Sequence, residues 1–240
     1  MKIKATVFQA GCGLAPEDWK VGGIPRPYRL YYVNGGSAYF RMGKREEKLK
    51  KGYFYLFPSS LPFLIRQDTD DRLDHLYFDF IMSPPVVSKE PLSFEAKSDF
   101  LTESFVPLLK GAVKSYACSD NTDKKEILTA LLESFLTVFL SKVTVNENCG
   151  EDILKTVEYI ERHYDENISI KEIAKSIYLS EDYFIRKFKK VMGMTPYAYL
   201  SGLRLSVATS LMEENLSLTE AAAKVGYQHP SSLCHALKRK

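Results

Sequence analysis

Arg186, Lys189 and Lys190, with Asp182 one turn upstream, are spaced to share one face of a helix over residues 181–191, with Phe184, Phe188 and Val191 on the other face. A planar guanidinium matches the O6 and N7 acceptors of guanine, and ammonium groups suit phosphate oxygens. The chemistry on offer is recognition of duplex nucleic acid, with Arg186 as a base contact and Lys189 and Lys190 as phosphate contacts. The same spacing also describes an ordinary solvated helix face, so the reading depends on the surrounding elements.

Those elements are written twice. Residues 170–177 and 218–225 are two versions of one segment, 48 positions apart. Each opens on a capping box, Ser169 with Glu172 and Ser217 with Glu220, in which the serine and the glutamate each satisfy a free backbone N–H. Each runs into a short turn, Tyr178-Leu179-Ser180 or Gly226-Tyr227-Gln228, and then a second amphipathic helix, 181–191 or 229–240. Phe184 and Phe188 correspond to Leu233 and Leu237, and Lys189-Lys190 to Lys238-Arg239. Two short helices about a tight turn, the second ending in cations, form the helix-turn-helix pattern. Ser231, His235, Lys238 and Arg239 then take the DNA-facing positions of the second unit. Ala174 and Ala222 let the helices of each unit approach closely. Ile153, Val157, Ile160 and Tyr164 mark a helix before the first unit. Thr195 caps a long connecting helix that opens on Pro196 and ends near Asn215. Such a strut would set the two reading helices about one DNA turn, roughly 34 Å, apart.

The N-terminal half has a different period. Residues 28–33 and 37–42 are aromatic and β-branched runs around Asn34-Gly35-Gly36, which predicts a hairpin. Residues 53–57 and 63–66 read as further strands. Residues 75–81 alternate, with His75, Tyr77, Asp79 and Ile81 on one face. Many short strands punctuated by Gly and Pro suggest a small barrel or sandwich, ending near Pro84, Pro85 and Pro91. Two helices follow, one around Pro107 and one over residues 124–143. The stripe of Leu131, Leu132, Phe135 and their neighbours in the second fits packing on the barrel or, alternatively, pairing with a second copy. The polar stretch 145–151 is the expected linker. This divides the chain into 1–146 and 151–240 and predicts an α+β protein, a β-barrel with helices followed by an all-α domain.

Composition narrows the function classes. A net charge of +3 is weak evidence for nucleic acid, and residues 151–240 hold 13 Lys+Arg against 12 Asp+Glu, so placement of charge must carry any DNA binding. No apolar run approaches the ~20 residues of a membrane helix, and the start lacks a signal-peptide core. Cys12, Cys118, Cys149 and Cys234 are scattered, as expected for reduced cytoplasmic thiols.

Ile170-x-Glu172-Ile173-Ala174, Leu179-Ser180-x-x-Tyr183-Phe184-x-Arg186-x-Phe188-Lys189, Gly193-Met194-Thr195-Pro196-x-x-Tyr199-Leu200, Arg204-Leu205 and Gly226-Tyr227 together resemble the DNA-binding domain of AraC/XylS transcription factors. The order of strand runs is similar to that family's cupin-like sensor barrel. The resemblance implies a regulator that binds double-stranded DNA, RNA polymerase and a small-molecule effector, forms a homodimer and needs no cofactor. Gly23-Ile24-Pro25-Arg26-Pro27 looks like the Arg-Pro strand that precedes the barrel of sugar-sensing members, which makes Arg26 a ligand candidate and a carbohydrate the implied effector. Trp19, just upstream, offers a face for stacking on a sugar ring. Tyr31, Tyr39, His75 and Tyr77 are candidates to point into the barrel, although each also fits ordinary packing. His235 stands where Arg186 stands in the first unit, so the second helix is expected to read its site differently. The family pattern continues past the position of Lys240 with a covering helix, so residues 229–240 are expected to fray or to be rescued by packing against a neighbour.

A cupin-type metalloenzyme is the alternative from another class. It needs a cluster of His and carboxylate ligands, and residues 1–150 contain His75 alone. No Ser-His-Asp elbow or phosphate-binding glycine loop is present in the sequence. A dimeric regulator without an effector is not separable from a sensor at this level.

Overall fold

The computed structural model describes residues 3–22, 27–59, 63–88, 90–97, 100–117, 122–143, 150–213 and 215–238. Among them, two antiparallel sheets make up the N-terminal half. The first runs in the order β1 (Lys4–Leu14), β8 (Asp74–Ser83), β3 (Tyr28–Gly35), β6 (Tyr53–Phe57) and β9 (Leu92–Glu95). The second runs β2 (Lys20–Gly22), β7 (Leu64–Gln67), β4 (Ala38–Met42) and β5 (Arg45–Lys48). No strand ladder joins the two among the described residues, so of the expected barrel or sandwich the architecture is two facing sheets, without closure into a barrel.

The expected hairpin is also absent. β3 and β4 lie in different sheets, and Asn34-Gly35-Gly36 is a corner that passes the chain between them. The corner folds against the loop before β8. Ser37 N–H donates to the Asp71 carbonyl at 2.9 Å and Asp68 N–H to that of Ser37 at 2.8 Å. Gly36 is left-handed, φ +75°, and a Cβ there would lie 2.0 Å from the Arg72 carbonyl oxygen. Asn-Gly signals a positive φ but does not specify which strand comes alongside. The hairpin that does form joins β4 to β5 across Gly43-Lys44, with Met42 opposite Arg45.

Every residue of β3 from Tyr28 to Val33 is buried. Leu30 and Tyr32 face α1 (Val106–Ala117) and α2 (Thr122–Lys142), while Tyr31 and Val33 face the second sheet. A strand covered on both sides needs no polar alternation. A π-helical turn, Phe100–Phe105, leads without a break into α1, whose second residue is Pro107, which has no N–H to donate to the turn before it. The α2 stripe packs on the first sheet. Phe135 is 2% exposed and lies against Phe54 at 4.4 Å between ring centroids, and Leu132 and Phe139 are fully buried. Ile127 and Val138 are the large apolar side chains that α2 exposes.

The C-terminal half is α3 (Glu151–Arg162), α4 (Ile170–Ser176), α5 (Glu181–Met192), α6 (Pro196–Glu213), α7 (Leu218–Lys224) and α8 (Pro230–Lys238). Ser169, Ser180 and Ser217 cap α4, α5 and α7, and Ser217 with Glu220 forms the full reciprocal box. The Thr195 hydroxyl accepts from Ala198 N–H at 3.2 Å ahead of Pro196. Ile153, Val157, Ile160, Phe184 and Phe188 form one core, and Leu203, Ala208, Ala221, Val225 and Leu233 a second. Leu233 is fully buried there and Leu237 is half-buried, so α6 and α7 cover the apolar side of α8. The expected linker residues 145–149 lie outside the described residues.

Candidate nucleic-acid interface and effector site

The first candidate face is α5. Asp182, Arg186, Lys189 and Lys190 are all exposed along it, while Phe184, Phe188 and Met192 are fully buried on its other side. Met192 takes the place expected of Val191, because 184, 188 and 192 keep strict i, i+4 spacing and 191 rotates toward the edge. Lys187 is half-buried and ion-paired with Asp152 of α3, which removes it from the reading set. Gly193 closes the helix at φ +74°, its N–H donating to the Lys189 carbonyl. Lys189 and Lys190 therefore stand in the last turn, where the helix dipole favours cations.

The second face is α8, where Ser231, His235 and Lys238 are exposed; Arg239 lies outside the described residues. Ala174 and Ala222 are buried between the helices of their units. Arg204 of α6 joins the units. Its Nε donates to the Tyr164 carbonyl and its Nη2 to that of Glu166, each at 2.6 Å, and its guanidinium lies 5.7 Å from the Tyr227 ring centroid. The turn of the second unit presses on the same loop. Gly226 is left-handed, φ +77°, and a Cβ there would lie 2.4 Å from the Asp165 carbonyl oxygen.

Four of the expected effector residues come together between the sheets. Tyr31 sits opposite Tyr77, and Val33 opposite His75, across β3 and β8. Trp19 packs against both Tyr31, at 6.3 Å between centroids, and His75, at 5.3 Å. The sequence reading missed the polar centre of this group. Arg29 pairs with Asp79 directly across the same two strands, both side chains 5% exposed, and its Nη1 donates to the Tyr31 hydroxyl at 3.0 Å. Burial works against the Arg29 charge, but Asp79 and the Tyr31 hydroxyl more than offset it and raise its pKa. A charge inside the apolar runs 28–33 and 75–81 was the available signal, since a buried charge must be paired. Burial, helped by the Arg29 charge, lowers the His75 pKa to about 4, so its ring is neutral at pH 7. Among the described residues no hydrogen bond of full geometry reaches either ring nitrogen of His75, although the Leu73 and Gly13 backbones favour its charged form. Tyr39 does not join the group. It faces away from the core of the two sheets, under Arg66 at 4.9 Å, because Ala38 and Phe40 on either side of it point inward. Arg26 lies outside the described residues. Among the described residues no three His, Cys, Asp or Glu side chains converge as metal ligands would.

A second missed group lies where the β and helical halves meet. Glu161 of α3 is 2% exposed and accepts a hydrogen bond from the Tyr199 hydroxyl of α6 at 2.5 Å, and Ser59, just past β6, lies 2.9 Å from that hydroxyl. Among the described residues no hydrogen bond of full geometry reaches the other carboxylate oxygen of Glu161, although the Met82 backbone favours its ionised form. Burial raises the Glu161 pKa to about 8 against the opposing hydrogen bonds of Tyr199 and Ser59. Phe8 of β1 meets Tyr164 edge-on at 6.1 Å, and the Gln9 amide donates to Glu213 of α6 at 2.5 Å.

Comparison with known proteins agrees with this construction. Residues 173–240 match the family described as a helix-turn-helix domain. The lactose operon transcription activator of Staphylococcus xylosus is 28% identical over 106 residues, covering 44% of this chain and 37% of that protein. A probable transcriptional regulator of Photobacterium leiognathi, LumQ, is 28% identical over 164 residues, covering 65% of this chain and 64% of its own. The chain thus spans less than two thirds of the length of these relatives. The fold of ToxT from Vibrio cholerae superposes with a TM-score of 0.65 over 97% of this chain and 94% of that one, at 12% identity. Another ToxT structure is described as bound to an unsaturated fatty acid. No helix described here is long and apolar enough to cross a membrane. The chain thus carries a matched helix-turn-helix domain, its unit repeated about a connecting helix, behind two β-sheets, and shares the fold of ToxT.

Proposed function

We propose that the chain is a sequence-specific DNA-binding regulator of transcription, acting in the cytoplasm and controlled by a small molecule held in its β half. The observation that carries the DNA reading is the doubled helix-turn-helix with its exposed faces. Arg186, Lys189 and Lys190 stand free on α5, and Ser231, His235 and Lys238 on α8, with the units tied together through Arg204. Arg186 reads a base edge and the lysines meet phosphates, while His235 offers a shorter and weaker donor than arginine at the matching position. RNA polymerase is the protein partner such a regulator addresses.

The effector site is the group formed by Trp19, Tyr31, His75 and Tyr77 around the Arg29–Asp79 pair. Arg29 is already neutralised, so the site favours a ligand that stacks on aromatic faces and hydrogen-bonds to polar tips over one that brings a carboxylate. That supports a carbohydrate over the fatty acid of ToxT. The chain is also proposed to work as a homodimer. Ile127 and Val138 of α2 and Phe100 beside it are exposed, and an apolar groove of about 620 Å³ runs between Phe94, Phe100, Phe105 and Val138.

Selection of bound duplexes from a random pool tests the DNA reading, with recovery of one enriched motif expected. A pool that emerges unenriched overturns it. Thermal shifts against sugars and fatty acids test the effector. A rise with a fatty acid and none with any sugar would reverse the choice of ligand.

A further inference from the structure

The turns of the two helix-turn-helix units are closed by the same bonds. In the first unit Leu179 N–H donates to the Ala174 carbonyl at 2.9 Å and Tyr178 N–H to that of Lys175 at 3.0 Å. In the second, Tyr227 N–H donates to Ala222 at 3.0 Å and Gly226 N–H to Ala223 at 3.4 Å. In both, the residue after the helix cap is left-handed, with φ +57° at Tyr178 and +77° at Gly226. This is the position that glycine fills most readily, because a Cβ there crowds the following carbonyl. The second unit uses glycine. The first carries a tyrosine, and its side chain is 97% exposed.

Tyr178 thus accepts an unfavourable backbone conformation without gaining burial in return. Strain of this kind, held in place by the surrounding turn, marks a position with a use outside the fold. The position itself indicates the use. Tyr178 lies two residues before Ser180, the cap of α5, so it stands at the N-terminal end of the helix proposed to enter the groove. Lys175, one turn back on α4, is exposed on the same approach. A phenol is a neutral donor of the kind that bonds phosphate oxygens. It can do so next to Glu181, whose carboxylate is held by the Tyr197 hydroxyl at 3.0 Å, without being drawn into an ion pair.

We propose that Tyr178 is a positioning residue for DNA, its hydroxyl donating to a backbone phosphate at the start of α5 and fixing the depth at which Arg186 meets the base edges. The inference rests on the DNA reading above. The test uses the full chain with Tyr178→Gly, Tyr178→Phe and Arg186→Ala. Affinity is measured for a duplex selected by the wild-type chain and for a scrambled duplex, at several salt concentrations, alongside thermal unfolding. Tyr178→Gly should unfold no lower than wild type and bind both duplexes about tenfold more weakly, and Tyr178→Phe should show most of that loss. The salt slope should not change, because a neutral donor releases no counterion. A wild-type affinity for Tyr178→Gly while Arg186→Ala fails to discriminate would overturn this inference alone. So would a lowered unfolding temperature for Tyr178→Gly, or full affinity for Tyr178→Phe. A wild-type chain with no affinity for any duplex would overturn the DNA reading itself.

Discussion

Replacing Glu161 by glutamine should change how stability depends on pH. The carboxyl sits fully buried between the β and helical halves, with one oxygen held by Tyr199. Its pKa is raised by burial to about 8 from an ordinary 4.5. Below pH 4.5 it is protonated in both folded and unfolded chains and costs nothing. As pH rises, the unfolded chain ionises first, and stability falls by about 1.4 kcal/mol per pH unit. The loss levels off near pH 8, where the folded carboxyl ionises too, at a total of about 5 kcal/mol. At pH 7 about 3 kcal/mol has been lost, a large share of the 5–15 kcal/mol typical of a folded protein. Glutamine keeps the acceptor for Tyr199 and cannot ionise. Urea unfolding of both chains between pH 5 and 8.5 should therefore show Glu161→Gln gaining on wild type by about 4 kcal/mol across the range. The titration of His75 runs the other way, weakening the fold as pH falls from 6.5 towards 4, but it is common to both chains and cancels in the difference. Parallel profiles with a constant offset would refute a carboxyl held neutral at this contact.

Three further outcomes are expected. Arg186→Ala should lower affinity for the selected duplex by about 1–3 kcal/mol and relax preference at one base pair, whereas Lys190→Ala should weaken all duplexes alike and reduce the salt slope by about 1; competition binding separates the two, and equal loss of discrimination from both would contradict the roles. Gly226→Ala should destabilise the second unit by about 1–3 kcal/mol, since it combines a left-handed φ with a close approach to the Asp165 carbonyl, and amide exchange in α7 and α8 would register it. Glutamate at Ile127 or Val138 should give a folded monomer by ultracentrifugation. The same charge at Leu131 or Phe135, a natural choice from the helical stripe, is a poor test because Phe135 is core and its replacement should unfold the β half.

The helical half was legible from the sequence because its determinants are local. A serine three residues before a glutamate, an apolar repeat at 3.6 residues and a Thr-Pro opening each act within one or two turns, and the duplication displayed them twice. Arg186, Lys189 and Lys190 could be assigned to a face for the same reason: once the helix exists, spacing sets the side of a residue. Gly226 announced a turn, although the carbonyl of Asp165 that excludes any other residue there is distant in sequence.

The β half was legible as strands but not as an arrangement. Asn34-Gly35-Gly36 marks a reversal, yet whether the next strand pairs with the last or crosses to another sheet depends on what loop 68–72 offers across the gap. The meeting of Arg29 with Asp79, and of Glu161 with Tyr199 and Ser59, was likewise decided only by tertiary structure. Each joins residues from separate elements, and each is strong only because burial removes the water that would otherwise solvate the charge. Desolvation belongs to the assembled fold: a charge inside an apolar run signals that a partner must exist, but which residue supplies it is settled only when the elements pack.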